Sequence, residues 1–145
     1  MQKGRILVVD DNKGIQRALE LLLAPVCKSV NCIDSPNRLV PILEVGNIDL
    51  ILLDMNFSAG VNSGNEGLYW LKRIKEINAD IPVILITAYG DVELAVKALK
   101  EGATDFILKP WDNQKLLATV EAGFQLRWSK LEVTQLKQRE KFLKK

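Results

Sequence analysis

Residues 48–54 read Ile-Asp-Leu-Ile-Leu-Leu-Asp, and this stretch decides the fold. Its apolar run is short, rich in branched side chains and ends on a carboxylate, which is the pattern of a strand covered on both faces. Working outward, Ile6–Val9, Ile81–Ile86 and Phe106–Leu108 share that form, and Ser29–Ile33 is a weaker version that suits an edge strand. Between these runs, Lys13–Leu23, Pro36–Val45, Glu66–Ile77, Asp91–Lys100 and the chain from Asn113 onward carry apolar residues three and four apart, the period of helices with one buried face. Strand and helix therefore alternate five times. With short, right-handed connections that order gives an α/β domain, a parallel sheet between two helix layers.

Punctuation supports these divisions. Ser35-Pro36 offers an N-cap followed by proline at the first helical position, and Gly46 and Gly102 stand where helices should stop. Pro41 falls inside the second helical stretch, so that helix is expected to be kinked, shortened or late to start. From about Gly123 charges and glutamines dominate while Phe124, Trp128, Leu131 and Leu136 recur loosely, so the last helix overruns the domain. The expected division is a domain over residues 1–127 and a helical extension or linker over 128–145. The lysine-rich end lacks a capping glycine, which fits a natural chain that continues toward an output domain.

Composition narrows the chemistry. The chain has 145 residues, 48% of them hydrophobic, enough for one domain with a real core but not for two full domains. Its 20 basic and 18 acidic residues are too balanced to favour nucleic acid or a membrane surface as a direct partner. Cys27 and Cys32 form no CxxC pair and histidine is absent, which argues against a zinc site and points to a reducing, cytoplasmic setting. The apolar run at Ile6–Val9 is too short for a signal peptide or a membrane span. Without histidine, Ser-His-Asp and Cys-His catalysis are excluded, so carboxylates and lysine must carry any chemistry.

In an open parallel sheet, ligands bind beyond the carboxyl ends of the strands. Reading those ends gives Asp10 and Asp11 after the first strand, Asp54 after the third, Thr87 after the fourth and Lys109 after the fifth. Singly, each has an ordinary explanation as a cap, a strand exit or a surface turn. Together they place three carboxylates, a hydroxyl and an ammonium on one rim. Carboxylates crowded in this way repel unless a cation intervenes, and Mg²⁺ suits oxygen ligands that leave positions for water and phosphate. Such parts suit phosphoryl transfer to a carboxylate, with Asp54 as nucleophile, Asp10 and Asp11 around the metal, and Lys109 and Thr87 for the phosphoryl oxygens.

The segments ILVVDD (6–11), LLD (52–54), ITAYG (86–90) and GATDFILKP (102–110), in this order and spacing, resemble the receiver domains of two-component response regulators over roughly residues 4–127. The resemblance implies a flavodoxin-like, doubly wound five-stranded sheet of order 2-1-3-4-5 with five helices. It implies a phosphoprotein that takes its phosphoryl group on Asp54 from a sensor histidine kinase, with Mg²⁺ held by Asp10, Asp11, Asp54 and the backbone carbonyl of Asn56. Thr87 becomes the switch hydroxyl, Ala88 the small residue that leaves room for the phosphoryl group, Lys109 the family lysine and Phe106 the aromatic that turns inward. Output is then expected through the face of the fourth helix, fifth strand and fifth helix, where family members dimerise or dock partners. The layout resembles the receiver of a nitrogen-regulator-type, sigma-54-dependent transcription activator, in which a linker leads to an AAA+ ATPase and a DNA-binding module; a stand-alone signalling receiver is the alternative. These residues show no helix-turn-helix of their own, so the chain itself is not expected to bind DNA.

One feature departs from the family. The segment after Asp54, MNFSAGVNSGNEGLYWL, is about five residues longer than usual, which places an enlarged loop at 57–66 if Gly67 opens the third helix. Tyr89, two beyond Thr87, borders the site by the same resemblance. A haloacid-dehalogenase-like phosphatase would share a strand-end aspartate, Mg²⁺ and a lysine, but its DxD signature follows the first strand. Here the sequence is Asp54-Met55-Asn56 after the third.

Overall fold

The computed structural model describes residues 3–55, 65–88 and 91–143. The apolar runs form five strands, β1 (Arg5–Val9), β2 (Ser29–Ile33), β3 (Leu50–Asp54), β4 (Val83–Ala88) and β5 (Asp105–Lys109). The periodic stretches form α1 (Lys13–Leu23), α2 (Leu39–Val45), α3 (Asn65–Ile77), α4 (Val92–Lys100) and α5 (Asn113–Leu143). All strand pairs are parallel and the order is β2-β1-β3-β4-β5, the doubly wound flavodoxin-like receiver arrangement.

The pleat explains the two-layer core. Leu7, Val9, Ile51, Leu53, Val83 and Leu85 point to one face, against Leu39, Leu43, Leu68, Leu71, Ile74 and Ala98 of α2, α3 and α4. Ile6, Val8, Leu50, Leu52, Ile84 and Ile86 point to the other, against Leu19 and Leu23 of α1 and Leu116, Val120 and Phe124 of α5. β3 is buried along its whole length, as residues 48–54 foretold. β5 departs from the reading of a strand covered on both faces: it is the second edge of the sheet, and only Ile107 is fully buried.

Local chemistry sets the helix ends. The Asn12 side chain accepts from the Ile15 amide at 3.0 Å and caps α1. Ser35-Pro36 begins a short 3-10 turn, Pro36–Arg38, and α2 starts after it. Pro41 thereby occupies the third position of α2, where an amide would have no partner within the helix, so of the three outcomes open for that proline the structure shows the late start. Gly46 closes α2 at φ 82° and Gly102 follows α4 at φ 113°, the left-handed backbone that glycine enters without strain. Gly67 lies in the first turn of α3; most of the enlarged loop, with Asn56 and Tyr89, lies outside the described residues. α5 runs unbroken from Asn113 to Leu143, and its residues from Leu131 onward are exposed. No helix among the described residues is long and apolar enough to cross a membrane.

α5 approaches the sheet closely at Gly123: a Cβ there would stand 2.5 Å from Leu50 Cδ1 and 3.3 Å from Ile84 Cδ1. Gly123→Val is expected to destabilise the domain by about 1–3 kcal/mol in urea unfolding despite valine's better helix propensity. Combining it with Leu50→Ala should cost less than the sum of the two single changes, because the obstructing methyl is gone. The thiols supply a second expectation. Burial pushes Cys27 up to about 11 from an ordinary 9.0, and burial, then Glu20, pushes Cys32 up to about 12. The folded chain therefore keeps thiol protons that the unfolded chain releases, and stability contributed by these groups is lost as pH rises from about 9 toward 12. Between pH 8 and pH 10.5, wild type should lose more unfolding free energy than a Cys27→Ala/Cys32→Ala variant; equal losses would refute the assignment.

Candidate functional site

Parallel register gathers the strand ends on one rim. Val9 pairs with Leu53, so Asp10 and Asp54 follow side by side, and Asp54 pairs with Ile86, one residue before Thr87. Thr87 pairs with Leu108 and Ala88 with Lys109, which closes the row at β5. Asp10, Asp11 and Asp54 each present a carboxylate oxygen within 4.8 Å of the others. Lys109 Nζ stands 3.1 Å from Asp54 Oδ1 and 3.4 Å from Asp10 Oδ2. Thus Asp10, Asp11, Asp54 and Lys109 converge as the sequence predicts.

Burial makes this arrangement electrostatically demanding. Asp10 and Asp54 are buried, Asp11 is exposed, and the Lys109 side chain keeps 22% of its surface. Desolvation pushes the Asp10 carboxyl upward; the Asn12 amide, donating at 2.8 Å, opposes this, the charge of Asp54 adds to it, and Lys109 opposes it. One ammonium cannot neutralise three carboxylates. The donor set is all hard oxygen, gathered in a partly buried crevice with negative charge in excess, and it fits a hard divalent cation. Asn56, expected to add a carbonyl, lies outside the described residues.

Thr87 is fully buried on β4, and its Oγ1 has no hydrogen-bond partner among the described residues. A buried hydroxyl left without a partner costs on the order of 1–3 kcal/mol. Ala88 is exposed at the end of β4. Phe106 is half-buried on β5, packed against the core under α2, α3 and α4.

Sequence reasoning missed Gln16. It is buried on α1 in line with Leu19 and Leu23, and its side-chain amide donates to the Asp10 carbonyl, fixing the turn that carries Asp10 and Asp11. An amide at a core-facing position of an otherwise apolar stripe was the available signal. It also missed the buried Asp49 and Arg127 and the half-buried Arg5, which form a charged group at the opposite end of the sheet from Asp54.

Comparison with known proteins agrees with this geometry. The response regulator receiver domain family matches residues 6–121. The DNA-binding transcriptional regulator NtrC of Salmonella typhimurium is 35% identical over 121 residues, covering 83% of this chain and 25% of NtrC. The regulatory protein AtoC of Escherichia coli is 32% identical over 135 residues, covering 93% of this chain and 28% of AtoC. The chain thus spans about a quarter of the length of these relatives. Among solved structures, the N-terminal signal receiver domain of a two-component response regulator from Bacteroides fragilis is 47% identical with a TM-score of 0.77, covering 85% of this chain and 98% of that one. NtrX from Brucella abortus is 27% identical with a TM-score of 0.82, covering 93% of this chain and 30% of NtrX. With the parallel 2-1-3-4-5 sheet and the acidic cluster at its carboxyl rim, these matches establish that the chain belongs to the response regulator receiver domain family, a signalling switch of two-component systems rather than a conventional enzyme.

Proposed function

We propose that Asp54 accepts a phosphoryl group from a sensor histidine kinase and that the resulting change in the domain controls a transcriptional output lying outside this chain. The observation that carries this reading is the position of the Asp54 carboxylate, 3.1 Å from Lys109 Nζ and within one cluster with Asp10 and Asp11. An Asp54 oxygen attacks phosphorus in phosphohistidine; the P–O bond forms, the P–N bond breaks, and the bonding pair leaves with the imidazole nitrogen. Asp10, Asp11, Asp54 and the Asn56 carbonyl would hold Mg²⁺, which when bound would supply charge to offset repulsion between the anionic nucleophile and donor. Lys109 neutralises a further phosphoryl oxygen, and the small side chain of Ala88 leaves space for the group. The domain thereby catalyses its own phosphorylation and its slow hydrolysis.

The orphan Thr87 hydroxyl gains its partner when it turns to a phosphoryl oxygen, and Phe106 on the neighbouring strand repacks inward. That movement alters the face made by α4, β5 and α5. On this face Val92 and Val96, four residues apart on α4, are 46% and 43% exposed. Farther along α5, Leu126, Val133, Leu136 and Leu143 are exposed at spacings of seven, three and seven. This apolar seam supports a homodimer through the face and the helix. The domain proper is assigned to residues 1–127 and the extension to 128–145, with DNA contact left to the output part. The name of NtrC supports transcription as that output.

Incubation with acetyl phosphate and Mg²⁺ should add the mass of one phosphoryl group to wild type and none to Asp54→Asn or to protein treated with a chelator, read by intact mass spectrometry; modification that persists in either control sinks the mechanism. Asp11→Ala should raise the Mg²⁺ concentration for half-maximal modification at least about tenfold. Thr87→Ala should still accept the group at Asp54, while the change in oligomeric size that accompanies modification of wild type, followed by light scattering, is lost.

A further inference from the structure

The buried positions of α5 are Leu116, Val120, Gly123, Phe124 and Arg127, one stripe at helical spacing. The last of them is a charge. Beyond it, residues from Leu131 to Leu143 are all exposed. Arg127 Nε lies 3.9 Å from Asp49 Oδ1 and has no hydrogen-bond partner among the described residues.

Asp49 is itself fixed. Its Oδ2 accepts from the Arg5 amide at 2.9 Å and from Arg5 Nε at 3.0 Å, and its Oδ1 accepts from Arg5 Nη2 at 3.3 Å. Its own amide donates to the Arg5 carbonyl at 2.9 Å, and Arg5 Nη1 donates to Asn47. A carboxylate held by so many bonds is a stationary anion, and a buried guanidinium cannot leave its counter-charge without a heavy desolvation cost.

Asp49 immediately precedes β3 and Asp54 ends it, roughly 17 Å away at ~3.3 Å per residue. Lys109, four residues before α5, pairs with Asp54 at one end of that strand, and Arg127 within α5 pairs with Asp49 at the other. We infer that Arg127 is the anchor of α5: a positioning residue that, through Asp49, fixes where the exposed segment 131–143 leaves the domain. As a consequence, which alone rests on the phosphoacceptor reading, rearrangement at Asp54 and Lys109 tilts α5 about Arg127 instead of releasing it.

Hydrogen exchange followed by mass spectrometry on the full chain tests both parts. Without any phosphodonor, Arg127→Met and Asp49→Asn should each speed exchange over residues 124–131 at least tenfold while residues 113–120 and β3 stay within twofold of wild type, and Arg127→Lys should recover most of the protection. Unchanged exchange over 124–131 in Asp49→Asn overturns the anchor, as does Arg127→Lys behaving like Arg127→Met. Should Arg127→Met unfold the whole domain, the Asp49→Asn and Arg127→Lys results decide by the same criteria. Adding Mg²⁺ and beryllofluoride should change exchange at residues 109–120 of wild type but leave 124–130 protected; if 124–130 lose protection instead, the tilt is wrong. No response anywhere in wild type counts against the phosphoacceptor reading and the tilt, leaving the first comparison to judge the anchor.

Discussion

One ammonium shared between two buried carboxylates is the constraint on which the rest of the domain depends. Lys109 Nζ reaches Asp54 at 3.1 Å and Asp10 at 3.4 Å, while Asp11 stands in the same cluster. Three strands that are remote in sequence must end at matching heights for this to happen. Parallel register supplies the match, and complete burial of β3 protects it, because a slip of one residue would carry Asp54 to the opposite face of the sheet. The apolar runs thus do more than build a core; they hold charged groups where charge is costly.

Burying the Asp10 carboxylate lowers stability, since desolvation, with the neighbouring charge of Asp54, opposes its ionised state. Two independent apolar layers offset this. Side chains of β1, β3 and β4 are buried on both faces, and each fully buried leucine or isoleucine contributes roughly 1.5–3 kcal/mol. The rim can consequently carry unfavourable charge without the sheet losing its register. Gln16 shows the same division of labour at one residue: it occupies a core-facing position of α1 but uses its amide to hold the Asp10 carbonyl.

Much of this was legible in the sequence because it depends on short-range pattern. Residues 48–54 identify a buried central strand, and the strand-end rule leads from it to Asp10, Asp11, Thr87 and Lys109. Strand ends were displaced by a residue or two, since hydrogen bonding extends β4 through Thr87 to Ala88 after the apolar run has stopped. The open question at Pro41 was one of helix initiation, which depends on how Ser35 and Pro36 close the preceding turn. Asp49, Arg5 and Arg127 were illegible for a different reason. Their partnership links positions 44 residues apart and more, and a charge at the start of a strand or on a long helix reads as solvated until the packing is known.

Thr87 and Arg127 share a property that bears on how the domain works. Each is a buried polar side chain with an atom that has no hydrogen-bond partner among the described residues. An unpaired buried polar atom is intelligible if it is needed in a second arrangement or must hold an element in place. Thr87 stands beside the acidic cluster and Arg127 beside the point where α5 leaves the domain. On the proposed reading, these two side chains stand at the two ends of the route from Asp54 to the outgoing helix, with the fully buried β3 between them.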